Sequence, residues 1–69
     1  MTFELKEDQE FIQLNNLLQL KQIAQTGGHA KILIRNEEIK VNGAIETQVR
    51  KKLKSGDVVE FEGLEITIK

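Results

Sequence analysis

The stretch LNNLLQLKQIAQTGGHAKILIR, residues 14–35, decides the architecture of this 69-residue chain. Leu14, Leu17 and Leu18 stand at i, i+3 and i+4, and Leu20, Ile23 and Ala24 repeat the spacing with Asn and Gln between them. That periodicity predicts a helix, with a bend between its two halves. Thr26-Gly27-Gly28 then breaks the pattern, because paired glycines weaken a helix and readily take up turn conformations. A second helix starts there: Ala30, Leu33 and Ile34 recover the i, i+3, i+4 spacing, while Lys31 and Arg35 lie four apart on another face. The second helix is therefore short, apolar on one side and basic on the other.

Outward from this pair the period changes to two. Before it, Phe3 and Leu5 alternate with polar residues as in a short half-buried strand. After it, Asn36-Glu37-Glu38 ends the second helix, and Ile39-Lys40-Val41-Asn42 alternates into Asn42-Gly43, a strong signal for a tight hairpin turn. Ser55-Gly56-Asp57 marks another turn. Val59 and Phe61, then Leu64, Ile66 and Ile68, alternate with Glu60, Glu62, Glu65 and Thr67, with Gly63 turning between the two strands. Strand, helix, helix and three or more strands imply an α+β fold rather than a parallel βαβ sheet. Leu14, Leu17, Leu18, Ile23, Leu33 and Ile34 are the expected core, and the glutamates the expected solvent side of the sheet.

With 39% hydrophobic and 30% charged residues, the sequence fits one globular domain over residues 1–69. A domain of this size buries only about 60% of the surface its unfolded chain exposes, so a large enclosed substrate pocket is not expected. Cysteine is absent, which excludes disulfides and thiolate metal sites. The first residues lack a signal-peptide pattern, and the longest uncharged run, Phe11 to Leu20, is far short of the roughly 20 apolar residues that span a bilayer. A cytoplasmic location and no membrane association are expected.

The net charge of −1 conceals an asymmetry along the chain. Residues 1–10 and 55–69 each carry −3, whereas residues 11–54 carry +5. The middle is a candidate polyanion-binding surface, built from Lys31, Arg35, Lys40 and the run Arg50-Lys51-Lys52-Leu53-Lys54. If extended, that run projects Arg50, Lys52 and Lys54 to one face at a repeat of roughly 6.6 Å, with Val49 and Leu53 on the other. Such a row suits a phosphate backbone, giving salt-dependent affinity with little sequence reading. The same run also suits a solvated surface that keeps a small protein soluble.

Gly27 and Gly28 offer backbone N–H groups to an anion, since helix N-termini expose unpaired donors and partial positive charge. They do not form a nucleotide-binding P-loop, which needs a Gly-Lys-Ser/Thr ending and a preceding strand. His29 is the only histidine, so no metal cluster is expected, and no orienting carboxylate or nucleophile motif accompanies it. A planar contact to a base or phosphate suits it better. No catalytic residues, small-molecule substrate, metal or cofactor are expected. Three phenylalanines and no Tyr or Trp leave the sheet without a broad base-stacking platform, so a polyanion would be recognised by its shape rather than by stacked bases.

Thr26-Gly27-Gly28-His29-Ala30-Lys31, Ile39-Lys40-Val41-Asn42-Gly43, Lys52-Leu53 and Gly56-Asp57-Val58-Val59 occur in the order and spacing of the ribosomal S-four (alpha-L motif) RNA-binding domain, which the chain resembles. It is most similar to the small single-domain YbcJ/YaaA-like branch, where Gly-Gly-x-Ala-Lys opens the second helix. The resemblance implies two helices packed on a small, mostly antiparallel sheet, with structured RNA, ribosomal or transfer RNA, along the second helix and the adjoining strand. By position it implies contacts from Gly28, His29, Lys31, Asn42, Arg50 and Lys52; the charge pattern adds Arg35, Lys40, Lys51 and Lys54. Gln48 and Val49 depart from the family pattern, which favours basic residues there, and imply a lower affinity. A protein partner is compatible with all of this. The competing reading is a protein-interaction or ubiquitin-like carrier module; such carriers need a C-terminal Gly-Gly, whereas this sequence ends Ile66-Thr67-Ile68-Lys69.

Overall fold

Helix α1 (Leu14–Leu20) and helix α2 (Gly27–Arg35) pack against each other, and both deliver apolar faces to one core. The computed structural model covers all 69 residues. Its helices lie over a five-stranded sheet made of β1 (Thr2–Phe3), β3 (Lys40–Val41), β4 (Ala44–Ile45), β6 (Val58–Phe61) and β7 (Leu64–Ile68). The strand order is β1-β7-β6-β3-β4, antiparallel except for the parallel β1–β7 pair. Two further strands, β2 (Ile12–Gln13) and β5 (Lys52–Leu53), form a separate antiparallel ribbon. The α+β class and the mostly antiparallel sheet agree with the sequence reading.

The predicted core residues Leu14, Leu17, Leu18 and Ile34 are fully buried and Leu33 nearly so, joined by Ile39, Leu53, Val59, Ile66 and Ile68 from the strands. The helix read through to Ala24 is shorter than its apolar spacing: α1 stops at Leu20. Gln22 takes a left-handed conformation (φ 60°), and the Gln22 and Ile23 N–H groups bond back to the carbonyls of Gln19 and Leu18. This is a Schellman motif with glutamine where glycine is usual. Ala24 is still buried and Ile23 still packs on the core, so the apolar pattern reports burial beyond the end of the helix. Helix α2 ends in the same way, with Glu37 at φ 62° and the Glu37 and Glu38 N–H groups bonded to Ile34 and Leu33.

The glycine pair is likewise placed differently from the turn that the sequence suggests. Gly27 and Gly28 are the first two residues of α2, and Thr26 is the N-cap, its hydroxyl accepting from the His29 N–H at 3.0 Å. The hairpins fall where expected. Asn42 and Gly43 (φ 53° and 84°) turn β3 into β4, and Glu62 and Gly63 (φ 46° and 82°) turn β6 into β7, the two-positive-φ loops that match strand twist.

Candidate nucleic-acid interface

The basic run is not one extended strand. Only Lys52 and Leu53 are in a strand; Val49 and Arg50 form a turn closed by the Lys51 N–H on the Gln48 carbonyl at 3.2 Å. What holds that turn is the start of α1, whose N-cap Gln13 makes no side-chain capping bond. The first N–H groups of α1 find their acceptors instead in the chain at 49–51: Leu14 N–H to Lys51 O at 2.8 Å and Asn15 N–H to Val49 O at 3.1 Å. Backbone carbonyls face the helix while Val49 packs on the core. The Arg50 and Lys51 side chains are thereby left to line surface clefts.

Two shallow clefts meet at this turn. One is lined by Asn42, Gln48, Arg50, Lys51, Lys52, Lys54 and Asp57, with no hydrophobic residue among them. The other is lined by Asn15, Gly27, Gly28, Lys31, Arg35, Val49 and Arg50. Arg50 belongs to both. The structure therefore brings together Gly28, Lys31, Arg35, Asn42, Arg50, Lys51, Lys52 and Lys54, with six cations and a single carboxylate along one surface.

At the second cleft, α2 leaves the Gly27 and Gly28 N–H groups without intrahelical acceptors. Neither glycine is required by the interior: a Cβ on Gly27 would come no closer than 3.9 Å to Gln19 Oε1, and one on Gly28 no closer than 3.9 Å to Thr26 Oγ1. Their φ angles are not in the left-handed region either. What two bare residues provide is unobstructed access to the end of the helix. Beside them, the Asn15 Oδ1 is buried without a hydrogen-bond partner.

His29 lies one residue further along α2, exposed, and its Nδ1 accepts from the Gln25 N–H at 3.2 Å. An accepting Nδ1 places the proton of the neutral ring on Nε2, which is left as a donor. His29 borders the glycine pair but lines neither cleft. Lys40 is not brought into the cluster. It sits on β3 directly opposite Ile45 and Glu60, on the sheet face away from the buried Val41.

The sequence gives no sign of what Asp57 does. Its carboxylate accepts from the Lys54 N–H at 2.8 Å and from Asn42 Nδ2 at 3.0 Å, while Asn42 Oδ1 accepts from the Val58 N–H at 2.9 Å. The Lys54 N–H, then the Asn42 amide, hold the Asp57 carboxyl below its ordinary range; partial burial opposes this, and Lys51 and Lys54 add attraction. Both ends of the Asn42 side chain are thus used to tie the β3–β4 turn to the turn before β6. Asn42 lines the cleft mainly as a brace.

Comparison with known proteins places this geometry. A family model described as S4 domain matches residues 3–69. The "Putative RNA-binding protein YbcJ" of Escherichia coli (strain K12) is 37% identical over 57 residues, 83% of this chain and 81% of that protein. The "Probable ribosome maturation protein RlbA" of Bacillus subtilis (strain 168) is 41% identical over 56 residues, 81% of this chain and 79% of that protein. The solution structure of Escherichia coli YbcJ, described as revealing an alfaL motif involved in RNA binding, superposes with a TM-score of 0.71 at 36% identity, over 97% of this chain and 84% of that one.

Proposed function

This chain belongs to the S4-domain family, and from that premise we propose that it binds structured RNA, ribosomal or transfer RNA, as one non-catalytic domain spanning residues 1–69. The observation that carries the reading is the position of Arg50, which joins the open end of α2 to the lysine-lined cleft. Phosphates seat on the Gly27 and Gly28 N–H groups with Lys31 and Arg35 beside them, and the strand continues past Arg50 towards Lys51, Lys52 and Lys54. Helix N-termini and lysine or arginine side chains position a nucleic-acid backbone without reading its sequence. The names of the YbcJ and RlbA relatives support RNA, and the latter a ribosomal one. No helix is long and apolar enough to cross a membrane.

The test is a titration of a folded RNA hairpin across several salt concentrations. Each cation that neutralises a phosphate contributes roughly −0.7 to −0.9 to the slope of log K against log salt, so six contribute about −4 to −5. Replacing Arg50, Lys51 and Lys52 together by Ala shallows the slope by about 2 to 3. Lys40→Ala, on the other sheet face, serves as the control and leaves the slope unchanged. Wild-type binding that is absent or independent of salt refutes the proposal.

A further inference from the structure

Phe11 is the aromatic ring the core does not use. All three phenylalanines are half-buried, but Phe3 and Phe61 pack against the core cluster and Phe11 lies outside it. Its position follows from the β2–β5 ribbon. Ile12 is buried directly opposite the buried Leu53, so the inner face of the ribbon is apolar. Alternation then turns Phe11 and Gln13 outwards, and Lys52, directly opposite Gln13, outwards beside them. The Lys52 ammonium lies 4.9 Å from the centroid of the Phe11 ring. Lys54, two residues beyond, lines the same cleft as Lys52. The outer face of the ribbon is thus an aromatic ring set against two lysines at the margin of the basic surface.

We propose that Phe11 stacks on one unpaired base of the bound RNA while Lys52 and Lys54 hold the phosphates that flank it. This rests on the RNA-binding reading above and adds a substrate class: a folded RNA with an unpaired nucleotide, such as a bulge, beside its helix. A π-face accepts any base, so the contact selects unpaired structure rather than sequence. An exposed cation–π contact is weak, so the Lys52 ammonium gives up the ring for a phosphate. A protein segment would also bury the ring, but the flanking lysines and the absence of hydrophobic residues in the adjoining cleft favour a polyanion. With Phe3 and Phe61 committed to the core, the platform holds one base and no more.

The experiment uses two RNA hairpins that differ only in a single-nucleotide bulge, with 2-aminopurine at the bulge or at the matching paired position. Fluorescence anisotropy gives affinity and 2-aminopurine emission reports stacking. Wild type is expected to prefer the bulged hairpin on the order of tenfold, with a change in emission at saturation. Phe11→Leu removes the preference and keeps both the affinity for the paired hairpin and the thermal midpoint, and Phe11→Tyr retains the preference. Salt-dependent binding without a bulge preference, a preference that survives Phe11→Leu, or unchanged wild-type emission overturns the stacking inference and leaves the RNA-binding reading standing. Salt-dependent binding to neither hairpin overturns both.

Discussion

Replacing Asp57 by Asn isolates the brace that shapes the lysine cleft. The carboxylate has two acceptor oxygens, one for the Lys54 N–H and one for the Asn42 amide. An asparagine at 57 has one, so either Lys54 or Asn42 faces a donor with a donor. Turning the Asn42 amide over to relieve this would cost the Val58 N–H its acceptor at 2.9 Å. Hydrogen bonds to charged groups contribute roughly 1.5–3 kcal/mol against about 1 for neutral ones, and partial exposure moves this pair to the lower end. The substitution therefore costs about 1–2 kcal/mol near neutral pH. At roughly 4–8 °C per kcal/mol for a domain of this size, the midpoint falls by about 5–15 °C in thermal melts followed by circular dichroism. The pH dependence gives a second, independent check. The folded-state pKa of Asp57 lies below its unfolded value, so its contribution is full above the unfolded pKa of about 3.9 and is lost as pH falls through the folded pKa. Melts of the two proteins should converge over that acidic range, since a protonated Asp57 is as poor an acceptor pair as Asn. Equal midpoints at pH 7, or a gap that persists unchanged into strong acid, would refute the reasoning.

Two further predictions concern the start of α2. Gly28→Ala should raise the thermal midpoint, because alanine gains about 0.5–1 kcal/mol over glycine within a helix and meets no close contact here, yet weaken binding to a folded RNA hairpin by crowding the open N–H groups. Unchanged RNA affinity in that variant would show that the glycine pair is not a phosphate seat. Thr26→Ala, which removes the cap on the His29 N–H, should lower stability by about 1 kcal/mol in urea denaturation.

Local pattern carried much of the architecture. Apolar spacing at i, i+3 and i+4 located both helices, Asn42-Gly43 and Gly63 located the hairpins, and the cationic run at 50–54 located the cleft. The parts that stayed hidden were those fixed by distant partners. Nothing local distinguishes Gln22 from any other helical glutamine, yet it ends α1 in a left-handed turn, beyond which Ile23 and Ala24 still reach the core. β2 is two residues long and exists only because β5, about 40 residues on, pairs with it. Asn42 reads as a turn residue and a candidate contact, and only its meeting with Asp57, fifteen residues away, reveals a brace. Lys40 counts towards the positive middle of the sequence, but pleating sends it to the other side of the sheet.

That separation of faces resolves the apparent conflict between a net charge of −1 and a polyanionic partner. On the sheet face that carries Lys40, Glu60 stands directly between Lys40 and Glu65, a like-charge pair that costs stability where it stands and is partly offset by the lysine. The cations, in contrast, gather around one turn whose backbone is held by the first N–H groups of α1. Helix and site are consequently coupled. The carbonyls of Val49 and Lys51 that complete α1 are the same groups that orient Arg50 and Lys51, so burial of the α1 leucines helps set the geometry of a surface that none of their side chains lines. A domain with so small a core has no spare element on which to mount a binding site, and here the capping of one helix also aims the charges.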